Sequence, residues 1–84
     1  MEELLKSKDF MKIGQAIEHG NWQVAMMAIG RMITKATELE DEYFVKHFKQ
    51  LKMAAASRNK QQAQNILALI VNKRAKLLNE MLKD

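Results

Sequence analysis

Residues 21–36, NWQVAMMAIGRMITKA, decide how this 84-residue chain folds. The apolar residues of the stretch recur at intervals of three and four, the spacing that places side chains on one face of a helix. The residues of this face are Trp22, Ala25, Met26, Ile29, Met32, Ile33 and Ala36. Because such a face must be covered by other parts of the chain, we expect a helix that packs among other helices.

Short breaks flank this central helix. Gly20 suits the left-handed end of a preceding helix, and Asn21 suits the N-cap of the central one. On the other side, Thr37 to Glu40 has the form of a capping box, which predicts a break within residues 37–41.

Similar signals divide the rest of the chain. A third helix is expected to end at residues 57–59, where Asn59 can cap a fourth helix over about residues 60–82. Near the beginning of the chain, Ser7 marks a second helix start. Residues 1–6 are therefore expected to be either frayed or a separate turn.

These elements predict an all-α fold, a four-helix arrangement of two antiparallel αα-hairpins within one domain of residues 1–84. Hairpin one is expected over about residues 2–37 and hairpin two over about residues 41–83. The segment that begins at Asn21 lines up with the segment that begins at Asn59, at a period of 38 residues. The two hairpins are therefore predicted to be related by an internal repeat.

Antiparallel pairing predicts which residues meet. In hairpin one, Gly14 should lie near Met26 and Gly30 near Phe10, so that each glycine makes room for a large side chain. The apolar faces predicted for hairpin two are Tyr43, Phe44, His47, Phe48, Leu51, Ala54 and Ala55 on its first helix, and Ala63, Ile66, Leu67, Ile70, Val71, Ala75, Leu78 and Leu82 on its second.

The composition excludes several classes of protein. The chain has no cysteine, which rules out disulfides and thiolate metal sites. No apolar run approaches the roughly 20 residues of a membrane-spanning helix. The acidic opening Met1-Glu2-Glu3 differs from a secretory signal or an Arg-rich transit peptide. We therefore expect a cytoplasmic protein.

The net charge of +4 conceals an asymmetry. Residues 1–42 carry five basic and eight acidic residues, whereas residues 43–84 carry nine basic and two acidic residues. Antiparallel pairing in hairpin two brings residues 73–76 towards residues 40–43, so acids at one helix start are expected to meet bases near the end of the next helix.

Among the basic residues of the second half, no such explanation covers Lys46, Lys49, Lys52, Arg58 and Lys60. A basic surface of this kind is one way to bind nucleic acid, preferably with exposed aromatic side chains for single strands. Phe44 and Phe48 are expected to face inward, so nucleic-acid binding is the third function considered.

Residues 20–25, Gly-Asn-Trp-Gln-Val-Ala, resemble the turn of tetratricopeptide-type helical repeats. In those repeats a glycine, a polar cap, an aromatic residue and an alanine close two helices against each other. Only the Asn and Ala positions recur in the second hairpin, as Asn59 and Ala63. The resemblance implies a protein-binding role and carries no individual binding residue with it.

His47 is the best candidate for a catalytic residue. A helical bundle with one histidine on a helix resembles histidine phosphotransfer domains, in which the imidazole carries a phosphoryl group between aspartates. Those domains usually have lysine three residues after the histidine, whereas this chain has Lys49 and Lys52 after His47. The resemblance implies a signalling bundle. The structural alternative is that His47 lies at the edge of an apolar face with its tip in solvent.

Other catalytic or metal-binding patterns are missing from the sequence. His19 and His47 are far apart, and no His-x3-His or Glu-x2-His spacing occurs. There is neither a glycine-rich phosphate loop nor a cysteine nucleophile. We therefore expect no cofactor, no metal site and no enzymatic activity.

Val24, Met27 and Ala28 lie off the main stripe of the central helix, which is thus apolar over more than half of its circumference. Either this helix sits centrally in the bundle, or another chain covers one face. We predict that these three residues, with Lys46 and Lys49, bind a protein partner or a second copy of the chain, and that charge steers the orientation. The expected protein is a non-catalytic interaction module: a small adaptor, regulator or homodimer.

Overall fold

The computed structural model describes residues 1–83, which form five helices and no strand. The helices are α1 (Glu2–Leu5), α2 (Asp9–Glu18), α3 (Trp22–Glu38), α4 (Glu42–Ala56) and α5 (Lys60–Leu82). Consecutive helices from α2 to α5 pack antiparallel, and α5 also contacts α2, which closes a four-helix bundle. The all-α prediction is therefore confirmed. None of these helices has the length and apolar character needed to cross a membrane.

The apolar face predicted for α3 is confirmed. Ala25, Ile29, Met32 and Ala36 are fully buried, and Trp22, Met26 and Ile33 are half-buried against the same core. Ala28 was expected on a free surface, and this prediction is wrong because Ala28 is also fully buried. It lies three residues after Ala25 and four before Met32, so its side chain projects from the same side of the helix.

The three turns between α2, α3, α4 and α5 share one hydrogen-bond pattern. Each has a residue with positive φ, Gly20 (70°), Glu40 (55°) and Arg58 (55°), followed by a capping residue. The N–H groups of these caps, Asn21, Asp41 and Asn59, donate to the carbonyls of Ala16, Ala36 and Ala54 over 2.8, 3.1 and 3.0 Å. This is the Schellman arrangement of a helix end.

The cap predicted for α4 is wrong by a few residues. Asp41 accepts the N–H of Phe44 at 3.0 Å, whereas Thr37 still lies inside α3 and donates its hydroxyl to the carbonyl of Ile33 at 2.7 Å. Because Glu40 is the residue with positive φ, the first position that can cap the next helix is Asp41. The break itself falls within the predicted residues 37–41.

The predicted contacts of the two glycines are also wrong, although the predicted alignment of α2 with α3 is right. Arg31 of α3 bonds Asp9 of α2, as expected for an antiparallel hairpin that turns at Gly20. A Cβ on Gly14, however, would lie 3.7 Å from Leu67 of α5, and a Cβ on Gly30 would have no neighbour within 4 Å. The two glycines therefore face away from the helix with which each was paired.

Residues 1–6 form a separate turn, which is one of the two arrangements expected from the sequence. Leu4 and Leu5 of α1 are buried and cover one end of the core. Arg74 of α5 donates from Nε to the carbonyl of Leu5, and its guanidinium lies 4.9 Å from the centre of the Phe10 ring.

The inward face of α5 differs from the prediction. Ala63 and Ile70 are buried as expected, but Val71, Ala75 and Leu82 are exposed. Lys73 and Arg74 occupy half-buried positions of the helix instead, with their charges against aromatic rings.

The ion pairs expected between the end of α5 and the start of α4 do not form. Lys73 places its Nζ 5.2 Å from the centre of the Tyr43 ring and not on Glu40 or Glu42. Within residues 1–83 the only ion pairs are Lys6–Glu2 and Arg31–Asp9.

The Asp9–Arg31 pair joins α2 to α3. Asp9 is the only charged residue in the core of the described chain, and Arg31 donates to both of its carboxylate oxygens over distances of 2.9 to 3.3 Å. The hydrogen bonds from Arg31 hold the pKa of Asp9 below its ordinary value of 3.8, against the opposing effect of burial. A carboxylate with a depressed pKa stabilises the fold above its unfolded pKa, and this contribution is lost as pH falls through the folded pKa.

We expect Asp9→Asn to lower the free energy of unfolding at neutral pH by about 1 kcal/mol, because it removes a charge-assisted hydrogen bond at a buried position. The variant should also lose less stability than the parent chain as pH falls below 3.8. Urea unfolding at neutral and acid pH measures both effects. Glu18→Gln, which removes an exposed carboxylate of the same helix, is the control; equal stability of Asp9→Asn and the parent at every pH would contradict the expectation.

Candidate protein-binding surface

Three exposed apolar side chains lie on the outer sides of α3 and α4. Met27 and Val24 of α3 are 59% and 41% exposed, and Met53 of α4 is 71% exposed. The remaining apolar residues of α4 are mostly packed in the core. Methionine side chains are flexible and polarizable, and they suit surfaces that adapt to a partner.

Met27 and Met53 lie level with each other. The turn at Glu40 makes α3 and α4 antiparallel, and Met27 and Met53 are each thirteen residues from it. Both side chains are exposed to solvent, outside the residues that line the depression between α3 and α4.

Gly30 lies one turn beyond Met27 on the same side of α3. Nothing lies within 4 Å of the position that a Cβ would take. The backbone of α3 is therefore open to approach at this point, in the middle of a helix where glycine costs stability.

Lys46 and Lys49 of α4 lie nearer the turn between α3 and α4. Together with Thr37, Val45, Glu40 and Glu42 they line an open depression between α3 and α4, with the two glutamates at the turn. Met27, Gly30, Lys46, Lys49 and Met53 are referred to below as the α3–α4 face.

The predicted binding residues are thus only partly brought together. Lys46 and Lys49 line the depression between α3 and α4, Met27 is exposed on α3 outside that depression, and Ala28 is in the core. Val24 instead borders a separate depression on the α2 side, with Lys12 and His19 among its neighbours.

Met53 and Gly30 are the residues of this face that sequence reasoning missed. Met53 is two residues from the buried Leu51, so its side chain lies on another side of the helix. The position of Gly30 relative to Met27 was visible in the sequence, but its contact with solvent depends on where α4 packs.

His47 lies on the other flank of α4, towards α5. Its ring stacks on that of Tyr43 with a centre-to-centre distance of 4.0 Å, and its Nδ1 is 2.8 Å from the carbonyl oxygen of Tyr43. If Nδ1 carries the proton it donates to this carbonyl, and Nε2 keeps a lone pair. His47 is half-buried, and Lys73 contacts the same Tyr43 ring.

No group of three or more His, Asp and Glu side chains within residues 1–83 is arranged to hold a metal ion. The clefts elsewhere are open to solvent and are lined by both polar and apolar residues. One, between α2 and α5, has Lys8, Met11 and Arg74 among its lining residues.

Comparison with protein-family models, curated proteins and solved structures finds no match to this chain. Its function therefore has to be inferred from the surfaces described above.

We expect Gly30→Ala to raise the free energy of unfolding by roughly 1 kcal/mol, because alanine favours a helix interior and the added methyl group meets no neighbour. Thermal and urea unfolding would measure the change. Gly20→Ala is the contrasting variant: it should destabilise the chain, since Gly20 has a φ of 70°. A loss of stability in Gly30→Ala would mean that the space over Gly30 is not open.

Proposed function

We propose that this chain is a non-catalytic protein-interaction module of the adaptor or regulator kind, which binds through the α3–α4 face. The observation that carries the proposal is the pair of exposed methionines, Met27 and Met53, at one level on adjacent helices. Burial of exposed apolar surface is the main source of favourable free energy in protein association. The proposal places the module in the cytoplasm.

Gly30 supports the same surface. In the isolated chain it weakens α3 without making room for any other side chain of the bundle. A partner that packs closely against the backbone of α3 would account for the absence of a side chain there.

A nucleic-acid site is supported less well. The Phe10, Phe44 and Phe48 rings are buried, so they offer no stacking surface to unpaired bases. Lys60 is directed to the carbonyl of Glu18 at the end of α2, at 2.7 Å. Arg58 lies in the tight turn before α5.

Two measurements test the interaction module. Sedimentation over a range of concentrations detects self-association, and selection from a displayed library of natural protein segments detects other partners. Binding is then mapped from the methyl signals of the methionines in NMR spectra. We expect the signals of Met27 and Met53 to shift on binding, while that of Met11, which is 69% exposed on α2, does not.

A matched pair of variants completes the test. Met27→Gln should weaken binding about tenfold through loss of buried apolar surface. Met11→Gln should leave it unchanged, and both variants should keep the stability of the parent, as most exposed substitutions do. The proposal would be refuted if the chain stays monomeric and the segments selected from the library bind the parent chain and Met27→Gln equally well.

The second candidate is a phosphotransfer-like signalling bundle centred on His47. It is favoured by the 2.8 Å contact of Nδ1 with the carbonyl of Tyr43, which fits an imidazole with an unprotonated Nε2. Such a nitrogen can attack the phosphorus of a phosphoryl donor and displace the donor's leaving group.

We expect this second candidate, if correct, to give acid-labile labelling of His47 by acetyl phosphate, with acetate as the leaving group. Mass spectrometry of the intact chain at high pH would detect the phosphoryl group. Labelling should disappear in His47→Gln and persist in His19→Gln. Equal labelling of the parent chain and His47→Gln, or none in either, would dismiss the candidate.

A further inference from the structure

The cleft between α2 and α5 lies on the opposite side of the bundle from the α3–α4 face. Both α2 and α4 pack against α3 and α5, so the four helices form a ring in which these two edges are opposite. The cleft has a volume of about 370 Å³. This volume is at the lower end of the range of roughly 300–1,000 Å³ that is typical of ligand sites.

Every charged residue that lines this cleft is basic: Lys6, Lys8 and Arg74. Lys6 is paired with Glu2 of α1 at 2.7 Å, whereas Lys8 and Arg74 form no ion pair within residues 1–83. Asp9, which follows Lys8 in the chain, is buried and bonded to α3. Lys8 and Arg74 therefore bring positive charge to the cleft that no acid in the described part of the chain compensates.

The contacts of Arg74 fix its orientation. Its Nε donates to the carbonyl of Leu5, and its guanidinium lies 4.9 Å from the centre of the Phe10 ring. This is the only hydrogen bond that Arg74 makes within residues 1–83, so its Nη groups are free to donate to a ligand. A guanidinium in a fixed position binds a carboxylate well, because the planar arrangement of its N–H groups matches the two oxygens.

Apolar side chains adjoin these charges. Met11 of α2 is 69% exposed and Val71 of α5 is 36% exposed, and both line the cleft. A ligand whose anionic group lies on Lys8 and Arg74 would therefore place a neighbouring apolar group against Met11 and Val71. Burial of that apolar group adds favourable free energy to the contact between charges.

From this arrangement we infer that the α2–α5 cleft binds an acidic segment of a partner protein, in which a glutamate or aspartate adjoins an apolar side chain. The carboxylate lies between Lys8 and Arg74, and the apolar side chain covers Met11 and Val71. The inference goes beyond the proposed function, because it gives the module a second binding surface opposite the first. Two such surfaces allow one chain to bridge two partners, as an adaptor does.

The position of Arg74 favours a protein segment over a membrane or a nucleic acid. Arg74 is half-buried, so a flat anionic membrane surface does not reach it, whereas a single carboxylate on a narrow segment can enter the cleft. The Phe10 ring is buried and offers no stacking surface to an unpaired base.

Three designed peptides of equal length test the inference. They share one apolar side chain, and the position next to it carries glutamate in the first, glutamine in the second and lysine in the third. Fluorescence anisotropy measures affinity, and the methionine methyl signals in NMR spectra map the site. We expect the glutamate peptide to bind at least about tenfold more tightly than the lysine peptide, with an advantage that falls as salt is added. The Met11 signal should shift, and those of Met27 and Met53 should not.

A matched pair of variants identifies the charge involved. Lys8→Glu should weaken binding of the glutamate peptide about tenfold, because it replaces an attractive charge with a repulsive one. Lys12→Glu makes the same change at an exposed position of α2 that does not line the cleft, and should have little effect. Urea unfolding of both variants shows whether either change affects the fold.

A second pair of variants separates the two surfaces. Met11→Gln should weaken the glutamate peptide and leave binding at the α3–α4 face unchanged. Met27→Gln should do the reverse, because the two methionines lie on opposite sides of the bundle.

The outcomes decide between the ligands. Tighter binding of the glutamate peptide that shifts Met11, is weakened in Lys8→Glu and persists in Lys12→Glu supports the inference. Equal binding of the three peptides, no binding, or binding without a shift at Met11 overturns it. A shift at Met11 caused only by phosphatidylserine vesicles or by a single-stranded oligonucleotide also overturns it. None of these results depends on Met27 or Met53, so the proposed function is judged by its own test.

Discussion

The need to bury the apolar side of α3 is the constraint on which the rest of the structure depends. Ala25, Ala28, Ile29, Met32 and Ala36 are fully buried, and α2 and α4 pack on either flank of the helix to cover them. Once these two helices are in place, α5 can complete the core only by packing against both of them, as it does. Within residues 1–83 one side of α3 remains uncovered, because α2 and α4 pack against its two flanks. The exposure of Met27 is a consequence of this arrangement.

The sequence predicts this architecture well where local chemistry determines it. Gly20 with Asn21, and Asn59 after Arg58, mark helix boundaries that depend on a few neighbouring residues, and both appear as predicted. Thr37 shows where prediction from local sequence fails. It matches a capping pattern, but it remains in the last turn of the preceding helix. The choice between Thr37 and Asp41 depends on which residue takes positive φ, and the non-glycine Glu40 gives no signal for that role. The period of 38 residues between Asn21 and Asn59 spans two helix-and-turn units, because Asp41 caps an equivalent turn between them.

Features that depend on three-dimensional placement are harder to predict. Counting residues from the turn gives the position of Gly14 and Gly30 along the helices of the first hairpin. The direction in which each glycine faces depends on the side of its helix against which the neighbouring helix packs. Likewise, the pattern of apolar residues does not show that Lys73 and Arg74 are half-buried residues of α5. Their charged groups lie against aromatic rings of other helices, and this contact depends on how the helices pack. The same limit explains the surface. Met27 lies off the stripe of α3 and its exposure could be anticipated, whereas Ala28 is small enough to pack wherever a neighbouring helix comes close.

The dimensions of the bundle also restrict what the α3–α4 face can do. The fifteen residues of α4 give a helix about 22 Å long, so a contact along its outer side is limited to about that length. A contact of that length, with two methionines as its main exposed apolar groups, belongs to the small interfaces that are typical of transient association. Methionine contributes apolar area without a rigid shape, so it discriminates little between partners of similar size. The charge along α4 has both signs, because Lys46 and Lys49 line the depression beside α3 together with Glu40 and Glu42.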